Sequence, residues 1–168
     1  MTIKVGDKIP DGTLTESTEF DSATQCAMAP KDVKVSEATK GKKIAVFGLP
    51  GAYTPTCSAK HVPSYLSNKD KLAAKGVSEI WCVAVNDGFV MAHWGRDQKA
   101  LGKIRFLGDG SGNWTKALGL ELDLTARNMG RRMTRFSMLV DDGTVKQLNV
   151  EAPGKFEVSD AETMLKQL

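Results

Sequence analysis

Two stretches of the chain are apolar at every position. Ile44-Ala45-Val46-Phe47 runs on to Leu49, and Ile80-Trp81-Cys82-Val83-Ala84-Val85 follows later. A strand without a polar face needs cover on both sides, so both read as central strands flanked by helices. Ile104-Arg105-Phe106-Leu107 reads as another strand. Between the first two, Val62, Tyr65, Leu66, Leu72 and Ala73 recur at helical spacing, with Lys60, Lys69, Asp70 and Lys71 on the wet side. Pro63 predicts a kink after the first turn of that helix, and Gly76 predicts its end. After the second strand, Asn86-Asp87 supplies cap chemistry for a helix over 87–101. Its apolar side is Phe89, Val90, His93 and Leu101, and Gly102 lies past its end.

Residues 1–43 read as a leading arm punctuated by Gly6, Pro10 and Gly12, with Thr13-Leu14-Thr15-Glu16 available for a hairpin. Residues 21–42 carry few large apolar side chains and are expected on the surface. Gly108-Asp109-Gly110-Ser111-Gly112 has the glycine content of a phosphate loop but no Lys-Ser/Thr closes it, so it reads as a turn before a short helix over 113–118. Further on, residues 131–140 and 145–150 read as two strands joined by an Asp-Gly turn. Ser159 and Glu162 have capping-box spacing for a final helix whose apolar side is Met164, Leu165 and Leu168. Strand, helix, strand, helix, strand, hairpin and helix predict an α/β fold with a mixed central sheet and helices on both faces. No repeat or linker divides residues 1–168, which read as one domain.

Composition narrows the class. The chain has 168 residues, enough for a sizeable core. A net charge of +3 is too weak to argue for nucleic acid, and no apolar run approaches a membrane span. The arginine cluster Arg127, Arg131, Arg132 and Arg135 has no interleaved aromatic platform for bases. The first residues lack the apolar core of a secretory signal, so a cytoplasmic location is the expectation. Asn113-Trp114-Thr115 then reads as a chance sequon. Cys26, Cys57 and Cys82 have no C-x-x-C spacing and form no disulfide framework.

Cys57 holds the sharpest chemistry. It follows Phe47-Gly48-Leu49-Pro50-Gly51-Ala52-Tyr53-Thr54-Pro55-Thr56, where the first strand breaks twice at proline and enters the helix. Unpaired N–H groups and the positive dipole end at a helix start favour thiolate over thiol. Taken alone, Thr54 also reads as a cap, and Pro55 suits a first helical position. His61, one turn after Cys57, reads as a group that packs behind or tunes the sulfur; two ligands make no metal site.

Pro50, Thr54 and Cys57 match the P-x-x-x-T-x-x-C signature of peroxiredoxins, and residues 50–58 resemble the type II, peroxiredoxin-5-like branch. Lys4-Val5-Gly6-Asp7, Val85-Asn86-Asp87, Trp94-Gly95-Arg96 and Arg135-Phe136-Ser137-Met138 agree with it, and residues 20–35 agree least. The resemblance implies a thioredoxin-like fold and a thiol peroxidase acting on hydrogen peroxide and alkyl hydroperoxides. It implies that Cys57 attacks the peroxide, Thr54 orients it, Pro50 shields the sulfur and Arg135 stabilises the thiolate. It implies no metal or organic cofactor, and a homodimer, with Phe89 and Trp94 candidates for its surface. Attack leaves a sulfenic acid that must be reduced. Cys82 is either a resolving cysteine, as in plant-like relatives, which suits thioredoxin as donor, or a buried bystander. No cysteine follows Cys82, which favours glutathione or a glutaredoxin as the donor. Cys26 reads as a loop thiol and His93 as a packed or surface histidine. Two rivals remain: a thiol–disulfide oxidoreductase, weakened by Thr54 standing three before Cys57, and a redox-sensing or chaperone protein.

Overall fold

The computed structural model describes residues 1–168. Its frame is a seven-stranded sheet built on β3 (Lys43–Gly48), β4 (Glu79–Ala84) and β5 (Arg105–Gly108), which run parallel. On the β3 side come antiparallel β8 (Phe136–Asp141) and β9 (Thr144–Val150), and beyond β5 come antiparallel β1 (Thr13–Glu16) and β2 (Lys31–Lys34). The two fully apolar stretches occupy the centre, as sheet strands without a wet face must. Alternate residues of β4 feed two separate cores. Ile80, Cys82 and Ala84 join one, and Trp81 and Val83 the other.

The first core lies under α2 (Val62–Ser67), α3 (Lys69–Ala74), α4 (Gly88–Asp97) and α6 (Ala161–Gln167), and it contains Cys57. The second lies under the short α1 (Val35–Ala38) and α5 (Asn113–Leu118), with Ile3 and Ile9 from the leading arm.

Six expectations change. The helix after Cys57 is not simply kinked at Pro63: Cys57–His61 is a widened π turn, α2 follows, and the chain breaks again at Asn68 before α3. Ala73 faces solvent. The helix after Asp87 ends at Asp97, because Lys99 turns left-handed at φ 56°. Its buried face is Gly88, Met91, Ala92, Trp94 and Gly95, whereas Phe89 is 49% exposed. Glycine carries the close approach: a Cβ on Gly95 would lie 2.7 Å from the Phe106 ring. Residues 131–140 are not one strand. β6 (Glu121–Leu124) and β7 (Gly130–Met133) form a separate ribbon, and the chain breaks at Thr134-Arg135 before β8. Finally, α6 is capped by Asp160, whose carboxylate accepts the Thr163 N–H at 3.0 Å. Ser159 is diverted to Glu151 instead.

Candidate active site

Cys57 sits in the first turn of the helix that opens at Pro55, where the Ser58 N–H donates to the Thr54 carbonyl at 3.0 Å. The uncapped N–H groups and the helix dipole therefore gather at the sulfur end. The residue is fully buried. Arg135, seventy-eight positions on, reaches it: Nη2 donates to Cys57 Sγ at 3.1 Å. The break between β7 and β8 frees Arg135 from the strand ladders, and the sheet register sets β8 directly beside β3. A fixed guanidinium at this distance stabilises negative charge on the sulfur.

The preceding loop is pinned at several points. Arg132 Nη1 donates to the Pro50 carbonyl at 3.1 Å, and the Ala52 N–H donates to Asn86 Oδ1 at 2.9 Å. Tyr53 adopts a left-handed φ of 65°, uncommon for an aromatic residue, and its hydroxyl donates to Asp97 at 2.7 Å. Burial and then Asp97 push the Tyr53 phenol up to about 12. Thr54 Oγ1 donates to the Gly51 carbonyl at 2.8 Å. That bond uses its proton and leaves the oxygen lone pairs for a donor arriving from the groove.

The groove has a volume of about 410 Å³ and is lined by Pro50, Thr54, Pro55, Leu122, Leu124, Met129 and Arg135. The second-ribbon residues were not foreseen: Leu122 and Leu124 alternate with charged neighbours in too short a stretch to stand out. A second hollow, also of about 410 Å³, lies at the opposite end of β4 and β5 from Cys57, where Arg105 is paired with Glu16 and Glu79.

His61 lies behind the sulfur. Its Nδ1 accepts from Arg135 Nη1 at 2.9 Å, so one guanidinium grips both residues. Burial, then the Arg135 charge, pulls the imidazole down to about 3. Its ring packs on Phe47 and Phe156. Cys82 is buried in mid-β4, on the side that faces Cys57's core; burial first, then Cys57, pushes its thiol well above the ordinary range. Cys26 is exposed in the loop between β1 and β2. His93 accepts the Ala27 N–H from that loop at 3.2 Å. Trp94 is buried and donates to Ser58 Oγ at 3.0 Å, so it supports the Cys57 helix from within and offers nothing to a partner's surface. No helix is long and apolar enough to cross a membrane.

Comparison with known proteins agrees with this geometry. The Redoxin family model matches residues 4–165. Peroxiredoxin-2B of Arabidopsis thaliana is 46% identical over 166 residues, covering 99% of this chain and 98% of its own. The crystal structure of reduced Prx3 in complex with hydrogen peroxide, from Vibrio vulnificus, is 45% identical at a TM-score of 0.90 and covers 99% of each chain. A Burkholderia cenocepacia structure, provisionally described as a thioredoxin reductase, is 52% identical at a TM-score of 0.94, covering 100% of this chain and 99% of its own. Fold, sulfur site and relatives converge: the chain has the thioredoxin-like fold and belongs to the peroxiredoxins, within the redoxin family.

Proposed function

We propose that this peroxiredoxin reduces hydrogen peroxide and alkyl hydroperoxides through Cys57 and is returned to the thiol by glutathione or a glutaredoxin. The observation that carries the reading is the 3.1 Å contact from Arg135 Nη2 to Cys57 Sγ in a buried site. The thiolate attacks one peroxide oxygen. The S–O bond forms as the O–O bond breaks, and hydroxide or alkoxide leaves and takes up a proton. Sulfur is oxidised to sulfenic acid and the peroxide is reduced. Arg135 meets the charge as it moves from sulfur to the leaving oxygen. The free lone pairs of Thr54 Oγ1 accept the peroxide O–H, and Pro50, without an N–H, shields the sulfur at the groove wall. The apolar side chains of the groove suit an alkyl group.

An incoming thiol then attacks the sulfenic sulfur, forming a disulfide and releasing water; a second thiol exchanges it off. Burial of Cys82 in mid-strand argues for the bystander reading, since a bridge to Cys57 needs Cα atoms within about 7 Å and a matching side-chain direction. Thioredoxin with Cys82 as resolving residue is the competing cycle. A reducing compartment such as the cytoplasm suits either donor. A homodimer is the expected assembly, and Tyr53 and Phe89 are exposed aromatics that suit its surface.

Replacing Cys57 with serine tests the reading. Peroxide turnover with supplied thiol should be lost; full turnover in the variant would overturn the enzyme reading and favour a sensing or chaperone role. A donor assay of glutathione–glutaredoxin against thioredoxin separates the two cycles. A Cys57–Cys82 disulfide, formed by peroxide without added thiol and found by mass spectrometry, would overturn the bystander reading.

A further inference from the structure

Arg135 reaches the sulfur through one nitrogen at the end of a long side chain. Something must choose that rotamer from many, because an unrestrained arginine spreads its charge over a wide volume. The other terminal nitrogen is held by His61, and His61 is held in turn. Arginine only donates, so His61 Nδ1 must accept, and the ring proton must lie on Nε2. Nε2 then donates to the Ser159 carbonyl at 3.0 Å. Both partners thus demand one tautomer. His61 and Ser159 are fully buried.

The Ser159 carbonyl belongs to no strand or helix ladder; it lies just before α6. Glu151 fixes it. One carboxylate oxygen, Oε2, accepts the N–H groups of Glu157, Val158 and Ser159, each at 2.9 Å, and the Ser159 hydroxyl at 2.7 Å. Oε1 shares the Glu157 N–H at 3.0 Å. The Glu151 main chain is itself tied to the active-site arginine: its N–H donates to the Arg135 carbonyl at 3.0 Å. A closed circuit results. It runs from the Arg135 main chain through Glu151, the 157–159 loop and His61, and returns to the Arg135 guanidinium.

We propose that Glu151 and His61 are positioning residues of the peroxidase reaction, which together aim the Arg135 guanidinium at Cys57 Sγ through the Ser159 carbonyl. The proposal rests on the thiol-peroxidase reading above. Neither residue touches the reacting atoms. A carboxylate gripping a loop is also a staple for stability, so the two roles must be separated at the sulfur.

The separating measurements are the Cys57 thiolate fraction, from the pH dependence of Cys57 alkylation followed by mass spectrometry of its peptide, and the single-turnover rate with hydrogen peroxide. Each is paired with a melting temperature. His61→Gln keeps a donor near Nε2 for Ser159 but removes the acceptor at Nδ1. We expect it to lower the rate by roughly 10–100-fold and to reduce the thiolate fraction at neutral pH, the scale of one lost charge-assisted hydrogen bond. His61→Asn leaves an acceptor near Nδ1 and should recover the rate to within about tenfold of the native protein. Glu151→Gln should lower the rate and thiolate fraction in the same direction as His61→Gln. The proposal fails if the folded variants keep the native rate and thiolate fraction, if asparagine and glutamine at His61 behave alike, or if every loss of rate merely follows loss of folded protein. Should Glu151→Gln not fold, the His61 pair decides. Native protein that turns over no peroxide would overturn the peroxidase reading itself; native turnover with unchanged variants would overturn the positioning circuit alone.

Discussion

Arg135 shows what one side chain adds when its geometry, and not only its charge, is used. It grips Cys57 and His61 with separate nitrogens of one planar group. A lysine would bring the charge as a single point and cannot hold both contacts in fixed directions. Arg135→Lys is therefore expected to lower kcat/KM for peroxide by about 10–100-fold while the folded structure survives, since the side chain is only part-buried. Stopped-flow peroxide reduction with a circular-dichroism control checks this. At the same scale the sequence was unevenly legible. Pro50, Thr54 and Cys57 lie in one short stretch and announce a strand-to-helix corner. Arg135 stood out from its arginine neighbours only through the family resemblance, because charge alone does not say which of four guanidinium groups folds back. Glu151 carried no signal, since its partners are backbone N–H groups that any sequence supplies.

Elements were legible where burial is simple. β3 and β4 are buried on both faces and read as continuous apolar runs. α4 misled because small residues, Gly88, Ala92 and Gly95, share its contact face with Met91 and Trp94, and a search for large apolar side chains passes the small ones over. The price of that close packing falls on enlargement: Gly95→Ala should destabilise the protein by about 1–3 kcal/mol, measurable by urea unfolding, as Phe106 and Leu101 are forced aside. β6 was missed because a four-residue strand with exposed charges resembles loop, and without its partner β7 read as the start of β8. The start of α6 was placed one residue early for a different reason. Ser159 has cap chemistry, but a distant carboxylate competes for its hydroxyl and wins, and Asp160 takes the cap.

For the whole molecule, the buried histidine makes stability depend on pH. His61 titrates at about 3 in the fold and near 6.5 when unfolded, so between these values the unfolded chain binds the extra proton. Its contribution is fully present above about pH 6.5 and is lost as pH falls, at a limiting slope of about 1.4 kcal/mol per pH unit. Urea midpoints measured from pH 7 to pH 4 should fall, and more shallowly in His61→Asn. Glu151 adds to the loss further down. Burial raises its carboxyl, but the Ser159 hydroxyl and the loop N–H groups outweigh this and hold it below its ordinary value. The π turn at Cys57–His61 has a consequence of another kind. A sulfur with no exposed surface is closed to a tripeptide or a protein thiol. The two halves of the cycle therefore make unequal demands: a small peroxide needs little opening, whereas rescue by a bulky thiol calls for that irregular turn to fray. The fraction of time the turn spends frayed would then act as the governor of throughput, and of how long the oxidised sulfur persists.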